Sequence, residues 1–365
     1  MKTVYEIMHG DKRTATIDTQ GHCKIYDAAF MPYSLFLDDS NEDIDTLVNN
    51  ITNFYFWCAS RILTLDRKYA KVILNSIGAS QAITDKDRAQ IALTYRCVSL
   101  TDIFWVKQKN DEADFSHINL FENHLENAFV DVALRGKQMT IVNHCLERDL
   151  STNGLFPKAW LRTEEGFQLL KDGDKSAVEH EILASKICRC FRCSQVLYEE
   201  GRYDGEKVSV SKLMTSKEYS IVSRDAYEIY AANHECDALE DILNLDSYSF
   251  HMMNILDYLI GNTDRHWGNW GLLINNQTNQ PVSLHPLMDF NQAFQAYDTL
   301  DGANCQTVLP KQATQREAAL YGVKQIGLNQ FHKIDKTWFA ENSSKYQMFL
   351  QRLELLQNAD IHRSN

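Results

Sequence analysis

One short stretch constrains this chain more than any other. Asn262-Thr263-Asp264-Arg265-His266-Trp267-Gly268-Asn269-Trp270-Gly271 sets an Asp five positions before an Asn, and Met288-Asp289-Phe290-Asn291 places a second Asp twenty positions after that Asn. Asp, His and Asn also crowd into ordinary turns, where they cap helices and bond their own backbone. The frame decides between the two readings. Upstream, Phe250, Met253, Leu256, Leu259 and Ile260 recur at helical spacing, and Gly261-Asn262 supplies a stop. Downstream, Leu272-Leu273-Ile274 reads as a short apolar strand, residues 275–281 as a turn, and residues 282–288 as a second strand that delivers Asp289. The spacing therefore predicts helix, loop, strand, turn, strand, Asp.

These residue types in this order suit phosphoryl transfer. One carboxylate, Asp264, is placed to orient and deprotonate an attacking hydroxyl, while the oxygen of Asn269 and the carboxylate of Asp289 hold magnesium against a triphosphate. Magnesium keeps water and phosphate oxygens as most of its ligands, so two protein side chains suffice. His266 reads as a brace of the catalytic loop through hydrogen bonds, since the phosphoryl transition state asks for little early proton removal.

The segment before it supplies the matching half. Residues 138–142 read as a strand, 151–158 as a loop of small residues, 159–161 as a second strand, 164–166 as a hairpin turn and 167–171 as a third strand. A helix over 178–187 and strands around 195–200 and 208–213 complete a small antiparallel sheet. Lys171 ends an apolar strand, where a bare ammonium is costly unless paired. Nucleotide phosphates and a helix carboxylate are its natural partners, with Glu181 preferred because Ile182, Leu183 and Ile187 mark its surroundings as buried, and Glu179 as the alternative. Backbone amides around Asn153, Gly154 and Leu155 are placed to cradle phosphate, with Lys158 either a point charge there or a surface lysine. Lys212-Leu213-Met214 leaves the last strand as the hinge expected to read adenine through its backbone. ATP and Mg2+ are the cofactors implied.

The organisation expected is α+β: a mostly helical N-terminal domain of unknown role over 1–137, a small sheet lobe over 138–213 and a helical lobe over 214–365. In the first part, strand-like pieces at 4–8 and 22–26 precede a helix capped from Asp39-Ser40-Asn41, with Ile44, Leu47, Val48, Ile51, Phe54, Tyr55, Cys58 and Ile62 on one face. Further helices are expected over 66–77 and 86–95, and shorter ones within 118–134. Only 5 prolines occur and no Pro/Gly-rich linker separates the parts, so firm packing is expected.

Charge and cysteine content narrow the function classes. With 37 basic against 49 acidic residues the net charge is −12, which argues against broad binding to nucleic acid or anionic membrane. No segment approaches eighteen uncharged apolar residues and the first six residues carry no apolar signal core, so a cytoplasmic chain is expected. Nine cysteines, an odd number, fit reduced thiols. The cluster Cys188, Cys190, Cys193 has no fourth zinc ligand nearby and reads as a buried helix end.

Taken together, residues 146–310 resemble the HipA family of bacterial serine/threonine kinases, whose founding member is the toxin of a toxin–antitoxin pair. Ser151-x-x-Gly154-x-x-x-Lys158 resembles that family's phosphate loop, Lys171 its ATP lysine, His180-Glu181 its Asn-Glu pair, Asp264-x-His266-x-x-Asn269 its catalytic loop and Asp289 its metal aspartate. The resemblance implies a bilobal protein-kinase-like fold, transfer of the γ-phosphate of ATP to a Ser or Thr of a protein substrate, autophosphorylation at Ser151, and an antitoxin-like regulatory partner. Met288-Asp289-Phe290 departs from the family's commoner Tyr-Asp-Leu, and Asp264-Arg265-His266 is also similar to the loop of phosphatidylinositol kinases. A lipid or small-molecule kinase and a pseudokinase scaffold are the alternatives. The latter need not keep Lys171, Asp264, Asn269 and Asp289 together.

Overall fold

The computed structural model describes residues 2–61, 84–123, 158–164, 166–171, 175–203, 205–295, 297–339 and 343–364. The expected helix over 66–77, the strand over 138–142 and the loop residues Ser151, Asn153, Gly154 and Leu155 lie outside the described residues.

The N-terminal part is a four-stranded antiparallel sheet backed by helices. Its elements are β1 (Val4–His9), β2 (Lys12–Asp18), β3 (Cys23–Ile25), α1 (Ile44–Ser60), α2 (Asp85–Thr94), β4 (Phe104–Gln108) and the single turn α3 (Phe115–Ile118). The sheet order β3-β2-β1-β4 makes this part richer in strand than its helical periodicity suggested. β1 is buried along nearly its whole length, because it lies between two partners in the sheet. α1 begins on Asp43, whose carboxylate accepts the Thr46 N–H at 2.7 Å, rather than on the expected cap at 39–41. Phe54, Trp57 and Cys58 are buried, whereas Ile44 and Val48 at the start of the expected apolar face are exposed.

The small lobe follows as β5 (Lys158–Thr163), β6 (Gly166–Lys171), α4 (Lys175–Cys188), β7 (Glu199–Tyr203) and β8 (Glu206–Lys212), in the order β5-β6-β8-β7. The strand expected around 195–200 begins only at Glu199; Gln195 instead bridges to Leu287 and Val196 N–H bonds the Leu287 carbonyl. Cys188 and Cys190 are buried at the end of α4, and every cysteine among the described residues is a free thiol.

The large lobe holds β9 (Tyr219–Ser223), α5 (Arg224–Asn233), α6 (Ala238–Ile260), β10 (Gly271–Asn275), β11 (Gln280–Leu284), α7 (Gln315–Ile326) and α8 (Ser344–Ser364). Its core is built around the second half of α6, where Phe250 to Ile260 are all buried against Trp270, Leu272, Phe290, Phe349 and Leu356. The first half of α6, kinked at Asp246, extends the helix beyond its expected start. β9 gave no sequence signal; it completes the sheet β11-β10-β9 and so frames the loop between α6 and β10 from the other side. Gly271 is required there, because a Cβ would drive into the β9 backbone at Val222 and Ser223.

Candidate active site

Two lobes deliver their polar residues to one place. From the small lobe, Lys171 closes β6 with only 5% of its surface exposed. Its ammonium donates to Glu181 Oε1 at 2.6 Å, to Asp289 Oδ1 at 3.0 Å and to the Tyr198 hydroxyl at 3.4 Å. Glu181 projects from the buried face of α4, and its second oxygen accepts the hydroxyl of Ser209 on β8. Glu179, two residues earlier, points outward and pairs with Lys207 at 3.6 Å. The helical turn therefore selects Glu181 as the lysine's partner.

Burial works against the Lys171 ammonium, but Asp289 and Glu181 outweigh it and hold its pKa well above the ordinary lysine value. For Asp289 burial opposes ionisation in the same way, and Lys171, Lys158 and Arg265 reverse it, holding the carboxyl well below the usual range. The Asp289 backbone has φ of +60°, a left-handed conformation unusual for a residue with a side chain. Its N–H is held by the Tyr198 hydroxyl at 3.1 Å.

From the large lobe, Gly261 ends α6 in the left-handed region at φ +58°, and the chain turns into the Asp264 loop. The Asn262 side chain donates to Asp257 at 3.0 Å and accepts the Asp264 N–H at 3.3 Å, so the loop is pinned to the helix it leaves. Asn269 donates its side-chain N–H to the Asp264 carbonyl at 2.8 Å, which turns its amide oxygen the other way. Asp264 is partly exposed; burial raises its carboxyl pKa, Asp289 adds to the rise, and His266 opposes it. His266 Nε2 lies 3.9 Å from Asp264 Oδ1, while its Nδ1 accepts the Gly268 N–H at 3.0 Å and caps the 3-10 turn over Trp267–Asn269.

The structure thus brings Lys158, Lys171, Glu181, Asp264, His266, Asn269 and Asp289 to one cleft. Lys158 starts β5 directly opposite Lys171 in register, and its charge reaches both Asp264 and Asp289. Lys212, Leu213 and Met214 lie between the lobes, where the Leu213 N–H bonds the Phe167 carbonyl at 3.2 Å. Sequence reasoning missed Tyr198, Asp257 and Arg265. Tyr198 sits outside any strand, and a buried Arg next to a motif Asp looks like any loop arginine until its partners are seen. Among the described residues no three His, Cys, Asp or Glu side chains gather as a metal cluster.

No protein-family model and no curated protein matches this chain. Solved structures do. HipA of Shewanella oneidensis MR-1, from a toxin–antitoxin complex with HipB and operator DNA, matches over 98% of this chain and 97% of its own, with a TM-score of 0.54 and 10% identity. The proinflammatory kinase CtkA of Helicobacter pylori matches over 58% of this chain and 93% of its own, with a TM-score of 0.45 and 16% identity. The fold is HipA-like: a small antiparallel-sheet lobe and a helical lobe joined by a hinge, with an added N-terminal part.

Proposed function

We propose that this chain is a protein kinase that transfers the γ-phosphate of ATP to a Ser or Thr hydroxyl. The single observation that carries the reading is the Lys171 ammonium held between Glu181 and Asp289, within one cleft of Asp264 and Asn269. A buried ion group of this kind costs desolvation, so its retention without a chemical task is unrewarding. Lys171 grips the α- and β-phosphates, and Glu181 holds it extended. Lys158 adds a second positive charge on the strand paired with that of Lys171, and backbone amides of Asn153, Gly154 and Leu155 are proposed to cradle the phosphates. The hinge at Lys212, Leu213 and Met214 offers backbone groups to adenine.

The donor set fits a small hard cation. Asp289 supplies a carboxylate that stays ionised, and Asn269 an amide oxygen turned away from Asp264. Magnesium, when bound there, supplies charge neutralisation for the transferring phosphate. Asp264 accepts the acceptor hydroxyl's proton as the oxygen bonds phosphorus and the bond to ADP breaks. His266 keeps the loop in shape through its cap on Gly268. Ser151 is the proposed autophosphorylation site, where a phosphate of about −1.5 to −2 charge would repel nucleotide.

A regulatory, antitoxin-like partner belongs to the same reading, as does a cytoplasmic location with reduced thiols. No helix among the described residues is long and apolar enough to cross a membrane. The HipA complex contains operator DNA, so the exclusion of nucleic acid rests on net charge alone. The test is mass spectrometry of the protein and a cell lysate after incubation with ATP and Mg2+. Phosphate on Ser151 and on a lysate protein, both absent in Asp264→Ala, is the expected result. A wild type that neither labels anything nor gains thermal stability with millimolar Mg-ATP sinks the reading.

A further inference from the structure

Arg265 occupies the position that the Asp-x-His motif leaves open, and it is buried to 3% exposure. Its Nε and Nη2 form a two-pronged bond to the Asp257 carboxylate at 2.8 and 3.0 Å. The remaining prong, Nη1, donates to two main-chain carbonyls, Asn269 at 2.8 Å and Met288 at 2.7 Å. Asn269 carries one proposed metal ligand, and Met288 immediately precedes the other, Asp289. The two carbonyls belong to segments nineteen residues apart, from Asn269 to Met288, joined otherwise through the β10–β11 hairpin. Asp257 is itself fixed on α6 and also receives the Asn262 amide, so the anchor is rigid.

We propose that Arg265 is the positioning residue that sets the spacing between Asn269 and Asp289, with Asp257 as its anchor on α6. The inference rests on the kinase reading above. A planar guanidinium can fork onto a carboxylate and still present the two N–H groups of its Nη1 to two carbonyls; an ammonium serves Asp257 as a point charge but lacks that geometry. Asp289 follows Met288 in the left-handed region at φ +60°, so the carbonyl that Arg265 holds lies at the turn that aims the Asp289 side chain. Arg265 donates its N–H groups to Asp257 and to the Asn269 and Met288 carbonyls, so its effect passes through the two ligand residues. Groups that orient ligands from behind typically change metal affinity or activity by about 10 to 100-fold when removed.

Arg265→Lys is compared with wild type in three measurements on the full chain. Hydrogen exchange without ligand should quicken in peptides covering 269–271 and 288–291 and stay unchanged in β5–β6. Calorimetry should show ADP affinity without metal altered less than about twofold, while the Mg2+ concentration that half-saturates ADP binding rises about tenfold or more. Phosphoryl transfer should regain much of its rate at high Mg2+. Should the Lys variant fail to fold, Asp257→Asn loosens the same fork with the guanidinium retained, and a smaller shift of the same sign is expected. A folded Arg265→Lys protein with wild-type Mg2+ dependence overturns the inference while leaving the kinase reading intact. So does a variant in which metal-free ADP affinity falls as much as metal affinity, since that marks a merely structural arginine. A wild type that binds neither Mg2+ nor ADP removes the kinase reading and this inference with it.

Discussion

Asp289 and Asp264 sit in one cleft under opposite electrostatic pressures. Asp289 is held ionised by Lys171, so its contribution to stability is fully present above the ordinary aspartate pKa of about 4 and is lost as pH falls from there through its depressed folded value. Asp264 runs the other way: burial raises its pKa, so its ionised form becomes available at higher pH than for a free aspartate. As the proposed base it must be ionised to work, and the acid limb of kcat/KM should therefore lie above the ordinary aspartate value of about 4. His266 lowers the Asp264 pKa, so His266→Gln should move that limb to still higher pH. A limb that stays put in His266→Gln would show that the two groups do not sense each other, and one that moves down would reverse the sign assigned to His266. At the same scale, Asp289→Asn should abolish the Mg2+-dependent part of the thermal shift with ATP, read by differential scanning, because the metal loses its carboxylate while Lys171 keeps Glu181.

The elements that aim these residues depend on where they stop. α6 is a strong helix by its apolar face, and Gly261 ends it where the catalytic loop must begin. Gly261 has a positive φ, and a Cβ there would collide with the Tyr297 ring and approach Arg352. Gly261→Ala should lower unfolding free energy by about 2 kcal/mol in urea titration, combining backbone strain with overpacking. It should also slow transfer, since the Asp264 loop leaves directly from that turn. A variant as stable as wild type would mean that the α6 end can shift without cost. β9 and β10 play the complementary part, since the close strand approach at Gly271 leaves the loop between fixed ends.

At the scale of the whole molecule, the N-terminal part touches both lobes and the hinge. Arg162 of β5 donates to the Leu120 and Asn123 carbonyls at 2.6 and 3.0 Å, and Trp160, Phe167 and Leu213 pack on the N-terminal core. Thr215, just past the hinge, donates to the Leu100 carbonyl, and the Ile221 N–H bonds Thr101 at 2.9 Å. On the large lobe, Asn279 donates to Ala29 and Met31 at 2.9 and 3.1 Å, and the Tyr33 hydroxyl bonds the Asn279 carbonyl at 2.8 Å. Asn279 is buried and left-handed, a conformation Asn tolerates better than Ala. Asn279→Ala should therefore cost about 2 kcal/mol of stability in urea unfolding, from two lost bonds and the strained backbone. No change on that substitution would mean that the Asn279 contacts add nothing to the attachment of the N-terminal part.

The sequence by itself determined the local pieces whose physics is local. Apolar periodicity marked the second half of α6, turn residues marked the β5–β6 hairpin, and spacing put Asp264 and Asn269 on one loop with Asp289 beyond the next hairpin. β11 runs over Gln280–Leu284, however, and ends before the strand expected over 282–288 would reach Asp289. The preference for Glu181 over Glu179 was legible too, because a helix exposes one face and buries the other. Other features depended on contacts between residues far apart in the chain. β9 has no pattern of its own and is a strand because β10 lies beside it. Ile44 and Val48 continue an apolar face, yet the fold leaves them in solvent. Arg265 and Tyr198 acquire their partners only when α6, the loop before β10 and the segment after β11 meet. A hydrogen-bond donor's partners are fixed by packing, and packing is the property a linear pattern of residue types does not carry.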